Sequence, residues 1–234
     1  MKLSKRLKHL DQMVSGGYRH IWDCCCDHGF LGMTLLSRQA ADNVHFVDIV
    51  PNLMREVEAN LQRFYASSSS QWHTHCMDVA MLPLHQHQGP HLVIIAGVGG
   101  DLITQFVDSI VERFPDAAID FLLCPVHHQY SLRKKLVELE FSLLQEVLVE
   151  DNQRFYELLL VSSVSDVNRR VHPVGKTIWL GSTEEQAAIS QKYLAKTLDH
   201  YRRMQQSQRE DVAQILSAYQ AVNAAFLPPC ETIK

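Results

Sequence analysis

The segment from Ile21 to Leu36, IWDCCCDHGFLGMTLL, constrains the fold of this chain more than any other segment. It begins as a short apolar strand ending in Asp23, continues as a tight loop that carries Asp27 and a glycine, and then becomes a helix. Such a loop lets a ligand approach the backbone, and the free N–H groups at the helix start point towards it. Nucleoside and dinucleotide cofactors bind at junctions of this kind.

A second acid strengthens this interpretation. Asp48 follows the strand-like run from His45 to Val47, at the interval typical of a carboxylate that binds a ribose. The loop and Asp48 together predict an adenosine-containing cofactor. For Asp23 two roles stay open at this point: it organises the loop, or it binds an amine of the cofactor.

Apolar strands alternate with amphipathic helices along the first two thirds of the chain. Long apolar runs without alternation, such as His91–Ala96, are typical of central strands covered on both faces. The pattern predicts an α/β fold with a parallel sheet and a final antiparallel pair. Strands are expected at 20–22, 44–47, 72–76, 91–96, 118–124, 141–150 and 155–164, and helices at 4–14, 30–39, 51–65, 101–114 and 131–139.

From Thr183 onward the pattern becomes purely helical, with apolar residues at helical spacing and no glycine before Phe226. We expect two helices that pack as a hairpin, with the turn around 205–208, and one very long helix is the alternative. The expected organisation is one domain over 1–164 and a helical C-terminal domain over 165–234.

Composition places the chain among ordinary globular proteins, with 46% hydrophobic and 21% charged residues in a length of 234. Its N-terminus lacks the apolar stretch of a secretory signal, and its apolar runs are too short to span a membrane, so we expect a cytoplasmic protein. Three of its six cysteines are consecutive, Cys24 to Cys26, and we expect reduced thiols.

Charge is distributed unevenly along the chain. Residues 1–20 carry five basic and one acidic side chain, residues 21–164 carry eight and eighteen, and residues 165–234 carry nine and seven. A polyanion would therefore meet the two ends of the chain rather than its middle. The alternative is that the uneven charge is simply solvated surface.

Seven segments of the sequence form an ordered set: LSKRL, DCCCDHGFLG, HFVDIVP, MDVAMLP, AGVGGDLI, LRKKLVELEF and EDNQRFYELLLV. Taken in this order they resemble one family, the bacterial tRNA adenine-22 N1-methyltransferases, which use S-adenosylmethionine. The resemblance spans residues 3 to 164 and implies a Rossmann-like, seven-stranded class I methyltransferase sheet with a C-terminal helical hairpin of coiled-coil type. It also implies tRNA as the partner.

The resemblance assigns roles to the acids and loops of the predicted cofactor site. Asp48 would bind both ribose hydroxyls, Asp78 would accept a hydrogen bond from the adenine amine, and the loop from Ala96 to Gly100 would pass under the methyl donor. The full set of implied cofactor contacts is Asp23, Cys25, Asp27, His28, Asp48, Ile49, Asp78, Val79, Ala96, Gly97 and Gly99.

Asp27 is the predicted catalytic residue. Methylation at N1 leaves a cationic adenine, and a nearby carboxylate can stabilise that charge or accept a proton from the exocyclic amine. The alternative is that Asp27 only binds an amine of the cofactor or orders the amides of the loop. The expected substrate contacts are Lys5, Arg6, Gly100, His127, His128, Arg133 and Tyr156.

The sequence departs from the family pattern at three places. Cys25 replaces a glycine of the cofactor loop, Val98 replaces a methionine, and the segment from Cys124 to His128 replaces a glutamine-proline-asparagine sequence. Two alternative functions follow from these departures. One is a methyltransferase of the same fold that acts on another RNA or a small molecule, and the other is a non-catalytic RNA-binding protein with a degenerate cofactor pocket.

Thirteen histidines raise the question of a metal. On a strand, His73 and His75 would share a face, and His85, His87 and His91 follow nearby. The sequence has neither a C-x-x-C pair nor an H-E-x-x-H motif, and methyl transfer to nitrogen requires no metal. We therefore expect no metal site, and we favour a monomer.

Overall fold

The computed structural model describes residues 3–207 and 212–226, with side chains described as far as residue 222. Seven strands form one sheet in the order β3-β2-β1-β4-β5-β7-β6. The first five are parallel, and β7 is antiparallel to both of its neighbours. The strands are β1 (His20–Cys24), β2 (Asn43–Asp48), β3 (Gln71–Cys76), β4 (His91–Ala96), β5 (Ile119–Cys124), β6 (Ser142–Asp151) and β7 (Arg154–Ser162).

The predicted α/β class and Rossmann-like topology are confirmed, and every predicted strand and helix is present with small shifts at its ends. Ring stacking between Tyr201 and Tyr219, with centroids 5.8 Å apart, joins the two last helices as expected. The predicted turn at 205–208 lies partly outside the described residues. The helices are α1 (Lys5–Met13), α2 (Phe30–Ser37), α3 (Pro51–Phe64), α4 (Gly100–Arg113), α5 (Gln129–Glu138), α6 (Glu184–Gln206) and α7 (Ala213–Phe226).

The central strands are apolar on both faces because helices cover both sides of the sheet. All five residues of β1 are buried. On one face Trp22 and Phe121 pack with residues of α4, and on the other Ile21 and Leu92 pack with residues of α1 and α2. In the described part of the chain no helix is long and apolar enough to cross a membrane.

A third apolar cluster attaches the C-terminal helices to the edge of the sheet. Leu148 of β6 packs there with Trp179, Tyr193 of α6 and Tyr219 of α7. The Trp179 and Tyr193 rings stack with centroids 5.6 Å apart, and the Trp179 indole N–H donates to the Val174 carbonyl at 2.8 Å. This aromatic packing fixes α6 beside β6.

Arg133 lies at the centre of this junction. Its side chain is fully buried, and it forms ion pairs with Glu146 of β6 at 2.8 Å and with Glu157 of β7 at 2.5 Å. The Tyr193 hydroxyl donates to the other oxygen of Glu157 at 2.5 Å. Burial tends to lower the Arg133 pKa, but the two carboxylates raise it above its usual value, and the guanidinium stays charged.

The prediction of Arg133 as a substrate contact is therefore wrong. Its side chain is inaccessible and its charge is matched by two carboxylates inside the protein. The neighbouring Lys134 is exposed. Arg133 instead links α5, β6 and β7 and, through Glu157, α6.

Replacing Arg133→Ala should lower the free energy of unfolding by about 3–5 kcal/mol, because two buried carboxylates lose their counter-charge. Urea unfolding measures this change. The matched control is Lys134→Ala, which should change stability by at most about 0.5 kcal/mol. Equal stability of the two variants would contradict the assigned role of Arg133.

Candidate cofactor and substrate site

The predicted cofactor loops meet at the carboxyl edge of the sheet. Cys24, the last residue of β1, lies opposite Val47 of β2 and Ile95 of β4. The loops that follow these three strands therefore leave the sheet side by side. They line a crevice at the edge where open α/β sheets bind ligands.

Asp48 joins two of these loops. Its carboxylate oxygens accept hydrogen bonds from the backbone N–H of Asp27 at 3.2 Å and from that of Val50 at 3.0 Å. Asp48 is mostly buried, so these bonds hold its carboxylate at one position at the end of β2. In the sequence, the position of Asp48 directly after the strand-like run from His45 to Val47 already marks it as a candidate ligand-binding acid.

Asp23 organises the loop and the helix that follows it. Its Oδ2 atom accepts a hydrogen bond from the Gly32 N–H at 2.7 Å, in the first turn of α2. Burial raises the Asp23 pKa to about 7, against the effect of the Gly32 bond and with a smaller contribution from Asp48. This geometry supports the first of its two predicted roles, while a bond to a cofactor amine stays a prediction.

The loop after β1 has an unusual backbone. Cys25 and Asp27 have φ angles of 54° and 52°, in the left-handed region that favours glycine. A glycine at position 25 would therefore adopt this backbone conformation without strain, and it would also leave space for a ligand beside the loop. Burial raises the pKa of the Cys25 thiol to about 12, with further contributions from Asp48, Asp23 and Asp78, so the thiol is protonated and lies among the acids of the crevice.

Three further predicted cofactor residues lie in the loops after β1 and β2. The side chains of Asp27 and Ile49 are exposed. The His28 ring lies beside two carboxylates, with Nδ1 3.3 Å from Glu56 Oε1 and Nε2 3.7 Å from Asp27 Oδ1.

The residues after β3 form a short helical turn and its cap. Asp78 accepts a hydrogen bond from the Ala80 N–H at 2.9 Å and so caps a short helical turn. Val79 is buried in the main core. Its side chain therefore faces the core, and a contact between Val79 and the cofactor stays a prediction that only its backbone could fulfil.

The glycine loop after β4 pairs with the loop after β5. Three backbone hydrogen bonds connect them: Gly97 N–H to Cys124 at 3.2 Å, Val126 N–H to Val98 at 3.0 Å, and Gly100 N–H to the His127 carbonyl at 2.9 Å. Gly97 has a φ of 86°, and a Cβ at Gly100 would lie 2.5 Å from a backbone oxygen. Gly100 is buried by this packing, so its role is to bring the two loops together.

The histidines of the second loop remain exposed. His127 lies so close to Gly99 that a Cβ there would be 2.3 Å from the ring, and the Nδ1 atom of His128 is hydrogen-bonded to the Asp101 carboxylate of α4. His128 has a φ of 59° just before α5. The two histidines therefore lie beside the glycine loop, and their contact with a substrate stays a prediction.

The N-terminal helix lies beside the same crevice. The Arg6 guanidinium covers the Tyr156 ring at 4.9 Å, and its Nη2 lies 4.0 Å from the position of a Cβ at Gly97. Lys5 is turned towards α6, where it pairs with Glu185 at 3.4 Å. The structure thus brings Arg6, Tyr156 and the glycine loop together, with Lys5 further out.

A cavity of about 390 Å³ borders the crevice between the second loop, β7 and α6. Sequence reasoning missed Arg154 and His200, which line it, because only the packing of α6 against the hairpin β6–β7 brings them together. Basic and aromatic side chains dominate the lining, including His127, His128, Arg154, Phe155, Tyr156, Lys196, His200 and Arg203. Its composition suits a nucleic acid.

The model of a methyltransferase domain family matches residues 3–159, well over half of the chain. The chain belongs to this methyltransferase family. The matched region contains β1 to β6, the acids Asp23, Asp27, Asp48 and Asp78, and the loops that line the crevice. A search of the curated proteins gives no significant match.

Solved structures agree with the fold. The M1A22 tRNA methyltransferase TrmK of B. subtilis is 19% identical, with 94% of this chain and 98% of that chain covered and a TM-score of 0.68. TrmK of M. capricolum, in complex with S-adenosyl-homocysteine, is 16% identical, with coverages of 95% and 96% and a TM-score of 0.71. The magnesium protoporphyrin IX methyltransferase of Synechocystis is also 16% identical, but the match covers 67% of this chain and 82% of that chain, with a TM-score of 0.51.

The contact between Gly32 and Asp23 gives a test of the loop geometry. A Cβ at Gly32 would lie 2.4 Å from the Phe46 ring and 2.8 Å from the Asp23 carboxylate. Gly32→Ala should therefore lower the free energy of unfolding by about 1–3 kcal/mol in urea.

Gly16→Ala is the control, because a Cβ at Gly16 meets nothing within 4 Å. This variant should be as stable as the wild type or slightly more so. If Gly32→Ala were equally harmless, the tight packing of α2 on β1 and β2 would be refuted.

Proposed function

We propose that the protein uses S-adenosylmethionine to methylate N1 of an adenine in tRNA, at position 22. The observation that carries this proposal is the extent of the structural likeness. The match covers 94% and 95% of this chain for the two tRNA methyltransferases. For the porphyrin methyltransferase it covers 67% of this chain. The likeness to the tRNA enzymes thus includes the C-terminal helices as well as the catalytic sheet.

The crevice has the features that an adenosyl cofactor needs. Asp48 offers an anchored carboxylate for the two ribose hydroxyls, with the exposed Ile49 beside it. Asp78 would accept a bond from the adenine amine, and Asp23, Cys25 and His28 belong to the loop around the methionine part. Ala96, Gly97 and Gly99 supply a backbone that a methyl donor can approach closely, since Gly97 is exposed and has no side chain.

The bound cofactor would supply the electrophilic methyl group, and the protein's own contribution is alignment and electrostatics. Asp27 stands exposed at the tip of the loop, and its backbone is held by Asp48. In this position its carboxylate can stabilise the cationic adenine or accept a proton from the exocyclic amine. Because Asp48 fixes the loop, Asp27 is positioned by the same residue that would hold the ribose.

The basic and aromatic surface beside the crevice suits a tRNA backbone and a displaced base. Arg6, Tyr156, His127 and His128 would contact the nucleotides nearest the target, with Lys5 further out. The cavity between β7 and α6 extends this surface onto the C-terminal region, which we take as a separate helical domain over 165–234. A cytoplasmic monomer is the state in which we expect the enzyme to act.

The purified full chain should transfer labelled methyl groups from S-adenosylmethionine to unmodified tRNA, with 1-methyladenosine as the product. A transcript with guanine at position 22 should accept none. Asp27→Asn should lower kcat about 100-fold, the lower end of what general acid–base groups contribute, with little change in cofactor affinity.

Asp42→Asn is the matched control for Asp27→Asn, because Asp42 lies just before β2 and pairs only with Arg19 among the described ion pairs. This variant should keep wild-type activity. Absence of methyl transfer to any tRNA would contradict the proposed function. Equal activity of the two variants would instead remove Asp27 from the mechanism and leave the activity itself intact.

A further inference from the structure

Six histidines gather around Trp22 on one face of the sheet, across β1 to β4. In sequence they are scattered, but the register of the parallel strands brings them together: His20 begins β1, His91 begins β4 opposite it, and His45 lies between Trp22 and His73. The cluster begins at the amino ends of the strands and extends to His75, which pairs with Val47 one residue before the carboxyl end of β2. Its members are His20, His45, His73, His75, His87 and His91.

Three of these side chains converge on one point. His20, His45 and His87 each offer a ring nitrogen, and the three nitrogens lie within 4.8 Å of one another. The Nδ1 atom of His20 is 3.1 Å from the Nε2 atom of His45. Zinc–nitrogen bonds of about 2.0–2.1 Å at tetrahedral angles place two ligand nitrogens roughly 3.3 Å apart. The spacing of the His20 and His45 nitrogens is close to this value, and the other pairs lie within 4.8 Å.

The surroundings hold the rings of His45 and His20 in place. The His45 ring stacks on Trp22 with centroids 3.7 Å apart, and its other nitrogen, Nδ1, lies 3.0 Å from Nε2 of His75. The His20 ring stacks on His91 at 5.1 Å. Histidines that bind metals usually have their second ring nitrogen held by a hydrogen bond, which His75 provides for His45.

His91 has a supporting role, because both of its ring nitrogens are already bonded. The Trp22 indole N–H donates to its Nδ1 at 3.1 Å, so the proton of the neutral ring is on Nε2. This Nε2 lies 3.0 Å from the backbone carbonyl of His87 and donates to it. His91 therefore fixes the segment that carries the His87 side chain.

We propose that His20, His45 and His87 bind one divalent transition-metal ion of the zinc type. An all-imidazole set selects zinc and its neighbours over magnesium and calcium, which prefer oxygen ligands. Three protein ligands leave a fourth position for water, on the side where His87 is only half-buried. The ion would connect β1, β2 and the segment between β3 and β4, and the proposal departs from the expectation drawn from sequence that no metal is bound.

Titration calorimetry of the metal-stripped full chain with Zn²⁺ tests this site. We expect one ion per chain, and His87→Ala should weaken binding by more than about tenfold, because even the loss of a residue that only supports a metal ligand costs about 10–100-fold in affinity. His85→Ala is the control, because His85 lies two residues away on the same segment, is exposed and contacts Phe114 instead of the cluster. Zn²⁺ should raise the Tm of the wild type and of His85→Ala more than that of His87→Ala.

X-ray absorption of the wild-type chain loaded with one equivalent of Zn²⁺ gives a test that needs no variant. Three imidazole nitrogens at about 2.0–2.1 Å are expected. The proposal is overturned if no stoichiometric binding is seen, if the ligands are mainly oxygen, or if His87→Ala and His85→Ala bind Zn²⁺ with the same affinity. In those cases the histidines form a hydrogen-bonded cluster within the core and nothing more.

Discussion

The two hydrogen bonds that Asp48 accepts are the interaction on which the site depends. They connect the loop after β1 to the loop after β2, and they leave an anchored carboxylate at the edge of the sheet. Without them Asp27 would have no fixed position, because its backbone has a positive φ angle and its side chain is exposed. The parallel register of β1, β2 and β4 makes this connection possible, since it places the three strand ends side by side.

Much of this arrangement could be predicted from the sequence. The buried strands are apolar runs bounded by turns, and Asp48 follows its strand at an interval that a ribose-binding acid requires. Arg133 could not be predicted correctly, because it stands in a run of three basic residues. Its partners, Glu146 and Glu157, are distant in sequence and meet it only when α5 packs on β6 and β7.

The histidine cluster forms through the register of the strands and cannot be recognised from the order of residues in the sequence. His20 and His45 are 25 residues apart, and neither belongs to the closely spaced pairs that drew attention in the sequence. The parallel pairing of β1 with β2 brings their rings into contact, and Trp22 separates this polar cluster from the rest of the core. The carboxyl edge of the sheet, with its acids and glycines, and the face that carries this cluster thus hold two distinct sets of polar residues.

Calorimetric titration with S-adenosylhomocysteine tests most directly whether the crevice is a cofactor site. The account predicts saturable binding of one molecule per chain, and tighter binding by Cys25→Gly, because glycine suits the φ of 54° and removes a thiol from among the acids. If neither the wild type nor Cys25→Gly bound S-adenosylhomocysteine, while both kept the fold, the crevice would not be a cofactor site and the central claim would be contradicted.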